Sequence, residues 1–599
     1  MNTSTSTIRL LSLLFAGSAL GWAGKCDIPA GTPPDTRVEY LVTLRPDSNP
    51  TLVQVAFRMI PGVSTWEYIP EFHLTFVTST ARAMCAMAPV VEIDLVSINR
   101  KMRSSSDFGM TGAGVPNFPY AANSALAQNA TAGASVGVAV VDSGIADHPD
   151  FGTGSASRVI VRRSFVPGES ASGDGYGHGT HVAGIIAGSG ARSAAEPGAF
   201  NRLHGVAPSV RLLSLKVLDR NGEGREYDVL RAILWAIRNR EEYNIRVMNL
   251  SLGRPVSESY AMDPLGRAVA AAWRSGIVVV VSAGNWGRHN LNGLGGYGTI
   301  TSPGNHPAVI TVGALRHSNT AARADEAVAT FSSKGPSILD RVLKPDIAAV
   351  GNRVASVLAP ASTLATSVGA LRVPKSAYCS NAGACGATPS LDYLYLSGTS
   401  MAAPLVAGTA ALMIQNDAAL RLSWTSSRQA FVPDVIKARI MKTATKPSRF
   451  PASITSTDTT GVTRTVLHNV RSLGAGYLDI GRALASRDGL PAGVRAASPQ
   501  LRVNRGRGVR LVHPGLVTRD RSLWGDPGVW SHTKLWGDNI LWGDNILWGD
   551  NILWGDNILW GDNILWGDNI LWGENILWGD NILWGDNILW GDQLMQGDR

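Results

Sequence analysis

The apolar positions of this chain follow three different patterns. Between residues 38 and 100, apolar and polar side chains alternate over short stretches rich in β-formers: Val38–Leu44, Phe72–Val77 and Val90–Val96. Alternation of period two suits strands with one face on a core. A helix is expected between the first two, which makes this region a small α+β unit. From about 125 to 488 the alternation gives way to continuous apolar runs: Val136–Val141, Arg211–Val217, Val247–Leu250 and Ile277–Val281. Strands of that kind are buried on both faces, as in a parallel sheet covered by helices on each side. Helix-period segments, Tyr227–Ile237 and Leu265–Trp273, alternate with them. The expectation is an α/β domain whose mostly parallel sheet offers ligand sites at the carboxyl ends of its strands.

The third pattern begins at Leu523, where Trp recurs every six residues from Trp524 to Trp590 in the unit Ile-Leu-Trp-Gly-Asp-Asn. Six residues do not return to one face of a helix, but an even period keeps each residue type on one face of a strand. Gly-Asp-Asn is a turn signal, and Ile-Leu-Trp is β-prone. Residues 523–599 are therefore read as a repeat tail that forms a β-solenoid or associates with a cell surface or polymer. The alternative is a sticky, partly disordered tail that is trimmed. Two low-periodicity stretches separate the three regions. Residues 101–124, with Ser, Gly, Asn and Pro, read as a processing linker, and 489–522, with Arg, Gly and Pro, as a second linker.

Composition narrows this picture. The length of 599 residues allows about three or four domains. With 45% hydrophobic and only 17% charged residues, a mainly disordered chain is excluded. The net charge of +8 comes from scattered Lys and Arg with no run of five, so nucleic acid is not an expected partner. Each tail repeat also carries an acidic residue, Glu574 once and otherwise Asp. At the N-terminus, Arg9 precedes the apolar stretch Leu10–Leu20, and Gly21 and Ala23 follow with the spacing a signal peptidase prefers. Residues 1–24 are read as a signal peptide, too short for a comfortable membrane span, and the protein as secreted or cell-surface. The four cysteines form no CxxC pair. In an oxidising compartment a local bridge between Cys379 and Cys385 is the favoured reading, and Cys26 with Cys85 a weaker one.

Three segments carry candidate chemistry. Val140-Val141-Asp142-Ser143-Gly144 puts a carboxylate at the end of a buried strand. Asp174-Gly175-Tyr176-Gly177-His178-Gly179-Thr180-His181 puts an imidazole between glycines before a small-residue helix. Ser397-Gly398-Thr399-Ser400-Met401-Ala402-Ala403-Pro404 puts a hydroxyl at the start of an apolar helix. Each has a bland reading: a turn carboxylate, a loop needing positive φ, and an N-cap with Pro in the first turn. Taken in order along one exported α/β chain, the bland readings become improbable. A serine hydroxyl is a weak nucleophile at neutral pH and needs a base, which in turn needs an orienting carboxylate.

These segments resemble the subtilisin-like (subtilase) serine endopeptidases, which share the chain order Asp, His, Ser. The resemblance covers about 125–488, with a weaker likeness at 38–100. It implies Asp142, His178 and Ser400 as the triad, with His181 the less favoured base. It implies Asn285, in Val280-Val281-Ser282-Ala283-Gly284-Asn285, as an oxyanion donor together with the Ser400 backbone N–H. It implies Ser251-Leu252-Gly253 as the segment that pairs with an extended peptide, and Ala283 and Gly284 in the pocket for the residue before the scissile bond. The floor of that pocket is expected within Trp286–Ser302, with a lean to apolar residues.

By the same resemblance, residues 38–100 are an inhibitory propeptide, self-cleavage falls within 101–115, and the catalytic domain closes after Gly474–Ile480. No cofactor is required for the chemistry. Structural calcium is implied by the resemblance alone, without assignable ligands. Expected partners are protein or peptide substrates and the protein's own propeptide, and a monomer is expected. Met401, after the nucleophile, is a potential oxidation site. The competing hypothesis is a catalytically inactive subtilase-fold protein that binds a surface through its repeats. The related Ser-Glu-Asp peptidases are disfavoured by His178.

Overall fold

The computed structural model describes residues 26–27, 35–48, 65–87, 93–105, 136–289, 296–316, 326–367, 371–380, 388–424, 432–446, 463–490, 495–504 and 508–512, with a few short stretches between. The proposed signal peptide, the repeat tail, the Cys26–Cys85 pairing and most of the expected first helix lie outside the described residues. Among the described residues no helix is long and apolar enough to cross a membrane.

The N-terminal unit is built from strands β1 (Arg37–Leu44), β2 (Thr65–Ile69), β3 (Leu74–Thr80) and β4 (Ile93–Ile98), with helix α1 (Ala81–Met87). Strand β1 lies between β3 and β4 and runs antiparallel to both, β2 flanks β3, and Cys26–Asp27 adds a short parallel edge beside β4. Tyr40, Val42, Leu44, Phe57, Val77, Met84 and Val96 fill its core. Tyr40, Val42 and Leu44 alternate onto this core, while Leu41, Ile69, Phe72 and Leu74 of the same unit join the core of the α/β domain. The strand over Thr65–Ile69 was not expected from the pattern, because Thr-Trp-Glu-Tyr-Ile is short and follows a Gly-containing turn.

Strand β5 (Lys101–Ser104) follows, then the central sheet: β6 (Gly137–Asp142), β7 (Val159–Ser164), helix α2 (His178–Ala187), β8 (Arg211–Lys216), the short strand β9 (Glu223–Arg225), helix α3 (Glu226–Arg238), β10 (Ile245–Leu250), β11 (Leu252–Gly253), helix α4 (Pro264–Arg274), β12 (Val278–Ser282), β13 (Ile310–Arg316), β14 (Ala327–Val328) and β15 (Ile347–Val350). The sheet has eight strands in the order β14-β13-β12-β10-β6-β8-β7, with β15 also on β13, and all but the β13–β14 pair are parallel. Every residue of β6, β10 and β12 is buried, which is why these strands read as continuous apolar runs. After β6 the chain builds β7 and β8 on one side, then crosses to build β10 on the other. The carboxyl ends of β6 and β10 therefore frame a switch point, where crevices form in α/β sheets. Helix α5 (Thr399–Asn416), buried throughout except at Asn416, runs from that crevice across the sheet. Helix α6 (Val432–Thr443) follows it.

Two expected linkers prove to be partly structured. Residues 101–104 form β5, which pairs antiparallel with β9 on one side and β11 on the other. Four residues without alternation carry no strand signal of their own; the pairing comes from partners 120 to 150 residues away. Residues 495–501 dock on the α/β domain. The Ala496 N–H and the Arg495 guanidinium bond to Asp434, and the Ser498 hydroxyl donates to Asp346 Oδ1 at 2.5 Å. The domain thus extends beyond residue 488, and Arg-, Gly- and Pro-rich composition did not reveal it.

Candidate active site

Asp142 ends β6 and His178 opens α2. The His178 Nδ1 and Asp142 Oδ1 atoms are 2.7 Å apart, with both side chains fully buried. The glycines around His178 make this approach feasible. Gly177 has φ 100°, and a Cβ on Gly179 would lie 2.3 Å from the Gly144 carbonyl oxygen and 3.1 Å from Asp142 Cβ. Asp174 then fixes the helix start: its Oδ1 accepts from the Gly177 N–H, and its Oδ2 accepts from the Thr180 N–H and hydroxyl. Burial raises the Asp174 pKa, against these hydrogen bonds. Asp142 also accepts from the Ser143 N–H at 2.8 Å, which holds its Oδ1 toward the imidazole. With the Nδ1–H given to the carboxylate, Nε2 carries the lone pair that a general base needs. Nε2 is buried and makes no hydrogen bond.

His181 is held apart from this pair. Its Nε2 lies 2.9 Å from the Leu394 carbonyl, and burial lowers its pKa to about 3. It is a neutral packing residue.

Ser400 is the second residue of α5, after Gly398 as cap and Thr399. It is therefore not the N-cap, and Pro404 stands in the second turn rather than the first. Pro404 lacks the N–H that would bond to the Ser400 carbonyl in a continuous helix. The Ser251 hydroxyl donates to that carbonyl instead, at 3.0 Å, and itself accepts from Asn249 Nδ2 at 2.8 Å. The Ser400 hydroxyl donates to the Ser251 carbonyl at 2.9 Å, not to His178.

Asn285 follows β12. Its Oδ1 accepts from the Thr399 N–H and hydroxyl, each at 3.0 Å, which orients the amide. Its Nδ2 donates to the Ser105 carbonyl at 2.7 Å, and the Ser400 N–H points at the same oxygen at 3.4 Å. Residues 101–105 thus lie extended through the crevice. The Ser105 N–H donates to the Ser251 carbonyl at 3.2 Å and the Ser104 N–H to the Gly222 carbonyl at 3.3 Å. Leu252 pairs with Ser104, and Gly253 with Arg103. Met102 is fully buried. Ser251, Leu252 and Gly253 are brought together with Asn285 and Ser400 around this strand.

Ala283 and Gly284 lie behind the crevice. The Gly284 N–H donates to the Thr399 hydroxyl, and the Ala283 carbonyl accepts from the Thr301 N–H. Beneath Ser105 a cavity of about 450 Å³ is walled by Gly253, Arg254, Pro255, Trp286, His289 and Thr301. A second cavity of about 160 Å³, with Val256, Tyr297, Ile300 and Ile338, adjoins it. Much of this wall comes from the Trp286–Ser302 stretch. One wall residue, Arg254, is buried in an ion cluster with Glu226, Glu258 and Asp263. Glu258 and Asp263 follow Arg254 closely in the chain, whereas Glu226 is brought from α3 by the fold. Cys379 and Cys385 are bridged, with Cα atoms 5.8 Å apart. Among the described residues no group of three or more His, Cys, Asp and Glu is placed to hold a metal ion, so no calcium ligands are assigned.

Residues 133–476 match the model of the subtilase family, more than half of the chain. The chain belongs to the subtilase family. Among curated subtilase relatives, serine protease AprX of Bacillus subtilis is 39% identical over 290 residues, 48% of this chain and 58% of AprX. Subtilisin DY of Bacillus licheniformis is 35% identical over 297 residues, 49% of this chain and 82% of that protein. The crystal structure of fervidolysin from Fervidobacterium pennivorans, a keratinolytic enzyme related to subtilisin, superposes with a TM-score of 0.50 at 21% identity. It covers 80% of this chain and 66% of fervidolysin, and supports the fold.

Proposed function

We propose that this subtilase is a secreted serine endopeptidase, made as a precursor that cuts its own chain between Ser105 and Ser106. One observation carries the reading: the Ser105 carbonyl oxygen already sits between the Asn285 amide and the Ser400 N–H, on a strand paired through the crevice. For reaction, the Ser400 hydroxyl turns from the Ser251 carbonyl toward His178 Nε2. His178 takes the hydroxyl proton as Ser400 Oγ attacks the Ser105 carbonyl carbon, and Asp142 stabilises the imidazolium. Asn285 Nδ2 and the Ser400 N–H, at the N-terminus of α5, receive the developing oxyanion. His178 then gives its proton to the Ser106 nitrogen as the peptide bond breaks, which leaves an acyl-enzyme that water hydrolyses.

The N-terminal unit, residues 38–100, acts as the propeptide in this reading. It holds its own C-terminal strand in the crevice as an inhibitor. Substrates are polypeptides bound in the same extended way, with strand pairing supplying affinity and side-chain pockets supplying selectivity. The chemistry needs no cofactor, and structural calcium rests on the family resemblance alone. The repeat tail is assigned surface or polymer association, and the chain is taken to be a monomer.

The test is labelling by a fluorophosphonate. The mature wild type is expected to label on Ser400, and the Ser400→Ala chain to stay unlabelled. A wild type that stays unlabelled after removal of residues 1–105 would favour an inactive, surface-binding subtilase fold.

A further inference from the structure

The strand in the crevice presents two cations on one edge. In register, Arg103 lies opposite Glu223 and Lys101 opposite Arg225. Lys101 and Arg103 are two residues apart and so project on the same face of β5. Both reach one carboxylate: Arg103 Nη2 is 2.6 Å from Glu223 Oε1, and Lys101 Nζ is 3.4 Å from Glu223 Oε2. Arg225, which would otherwise repel Lys101, is turned away, its guanidinium engaged by Asp228 and, while the N-terminal unit is in place, also by Glu39. The Glu223 backbone is itself pinned, since its N–H donates to Asp219 Oδ1 and its carbonyl accepts from the Asp219 N–H. Glu223 is thus held on the crevice wall by its backbone, its side chain one-third exposed, and the residue stays there when β5 leaves.

We propose that Glu223 is a specificity-determining residue that selects basic side chains at the third and fifth positions before the scissile bond of substrates. Counting back from Ser105 as the first position, these are the positions of Arg103 and Lys101. The inference rests on the endopeptidase reading, because it takes residues 101–105 as the pattern for how other chains bind. The fully buried Met102 between the two cations keeps the register fixed, so both basic side chains face Glu223 whenever an apolar residue fills the fourth position.

Exposed ion pairs are weak and screened by salt, so the expected preference is modest: roughly two- to fivefold in kcat/KM per basic residue over glutamine at low ionic strength. The test uses mature enzyme and fluorogenic peptides built on Lys-Met-Arg-Ser-Ser, with Lys and Arg each replaced by Gln or Glu. Wild type is expected to rank basic above neutral above acidic at both positions, with the ranking flattened in 1 M NaCl. Glu223→Gln is expected to lose the ranking. Glu223→Lys is expected to invert it, and a merely structural role for the side chain would not produce inversion. If wild type cleaves all the peptides with ratios unchanged by either substitution, this inference falls and the endopeptidase reading stands. If wild type cleaves none, the endopeptidase reading falls and takes the inference with it.

Discussion

Charged pairs rim the apolar seam of Leu41, Ile69, Phe72 and Leu74 between the N-terminal unit and the α/β domain, and charged pairs also lie inside the α/β domain, but in opposite settings. Across the first boundary the pairs are Arg225 with Glu39 at 3.0 Å, Arg238 with Glu71 at 2.7 Å and Arg267 with Asp94 at 2.6 Å, all partly exposed. Phe76 stacks on Tyr227 at 3.8 Å between them. Inside the domain, Asp346 lies between Lys344, at 2.6 Å, and Lys437, at 3.1 Å, with no exposed atom in any of the three side chains. Lys437 also donates to the Pro307 and Val309 carbonyls and the Ser498 hydroxyl. Water competes for the first set and cannot reach the second. The same pairing therefore makes a rim that salt can weaken, around an apolar seam that it does not, and an interior contact that persists until the domain unfolds. The first kind suits a unit that the proposed self-cleavage would release, and the second a scaffold that keeps a site aligned.

The sharpest way to break this comparison is to stop the chemistry that turns a loosened joint into a permanent separation. Ser400→Ala is expected to lower peptide hydrolysis by about 10⁶-fold and to leave the precursor as one chain. Asn285→Ala is expected to lower turnover by about 10²–10³-fold, since Asn285 Nδ2 is one of two donors to the Ser105 carbonyl. Steady-state kinetics check both, on mature Asn285→Ala enzyme and on a Ser400→Ala chain freed of residues 1–105 by added wild-type enzyme.

Within the scaffold, Lys437→Met keeps the Lys344–Asp346 pair but removes the donor to the buried Pro307 and Val309 carbonyls and the Ser498 hydroxyl. A loss of about 3 kcal/mol is expected in urea unfolding of the Ser400→Ala chain. Acid acts on the scaffold too. Burial lowers the pKa of both His181 and His306 to about 3 from an ordinary 6.5. The unfolded chain then binds protons that the native chain does not between these values, so stability is lost as pH falls from 6.5 toward 3. Unfolding midpoints at pH 7.5, 5.5 and 4.5 are expected to decline by up to about 1.4 kcal/mol per histidine per pH unit. The smallest effect belongs to the boundary: Arg238→Ala is expected to weaken binding of separately added residues 25–105 to mature enzyme by only about two- to fivefold. Equal losses for Arg238→Ala and Lys437→Met would erase the distinction.

The sequence made some of this visible and hid the rest for physical reasons. The runs at 136–141 and 277–281 announced buried parallel strands because both faces of β6 and β12 are covered. Asp142, His178, Asn285 and Ser400 stood out because each is a polar residue in an apolar or small-residue segment, at or just past the end of a buried strand or at the start of a helix. What stayed hidden depends on distant partners. Lys101–Ser104 is a strand only because β9 and β11 flank it, and Ser105 carries no signal of its own. Asp174 looked like part of a Gly-rich loop, yet it holds three donors at the start of α2. Of the acids around Arg254, Glu258 and Asp263 follow it within nine residues, but Glu226 comes from α3, and no local pattern links that one.

The central claim is that residues 101–105 occupy the crevice as a substrate does. Mass spectrometry of the termini formed when the full chain folds tests it most directly. The account predicts a fragment ending at Ser105 and a product beginning at Ser106, both absent from the Ser400→Ala chain. A cut at another bond, or the same cut in Ser400→Ala, would contradict it.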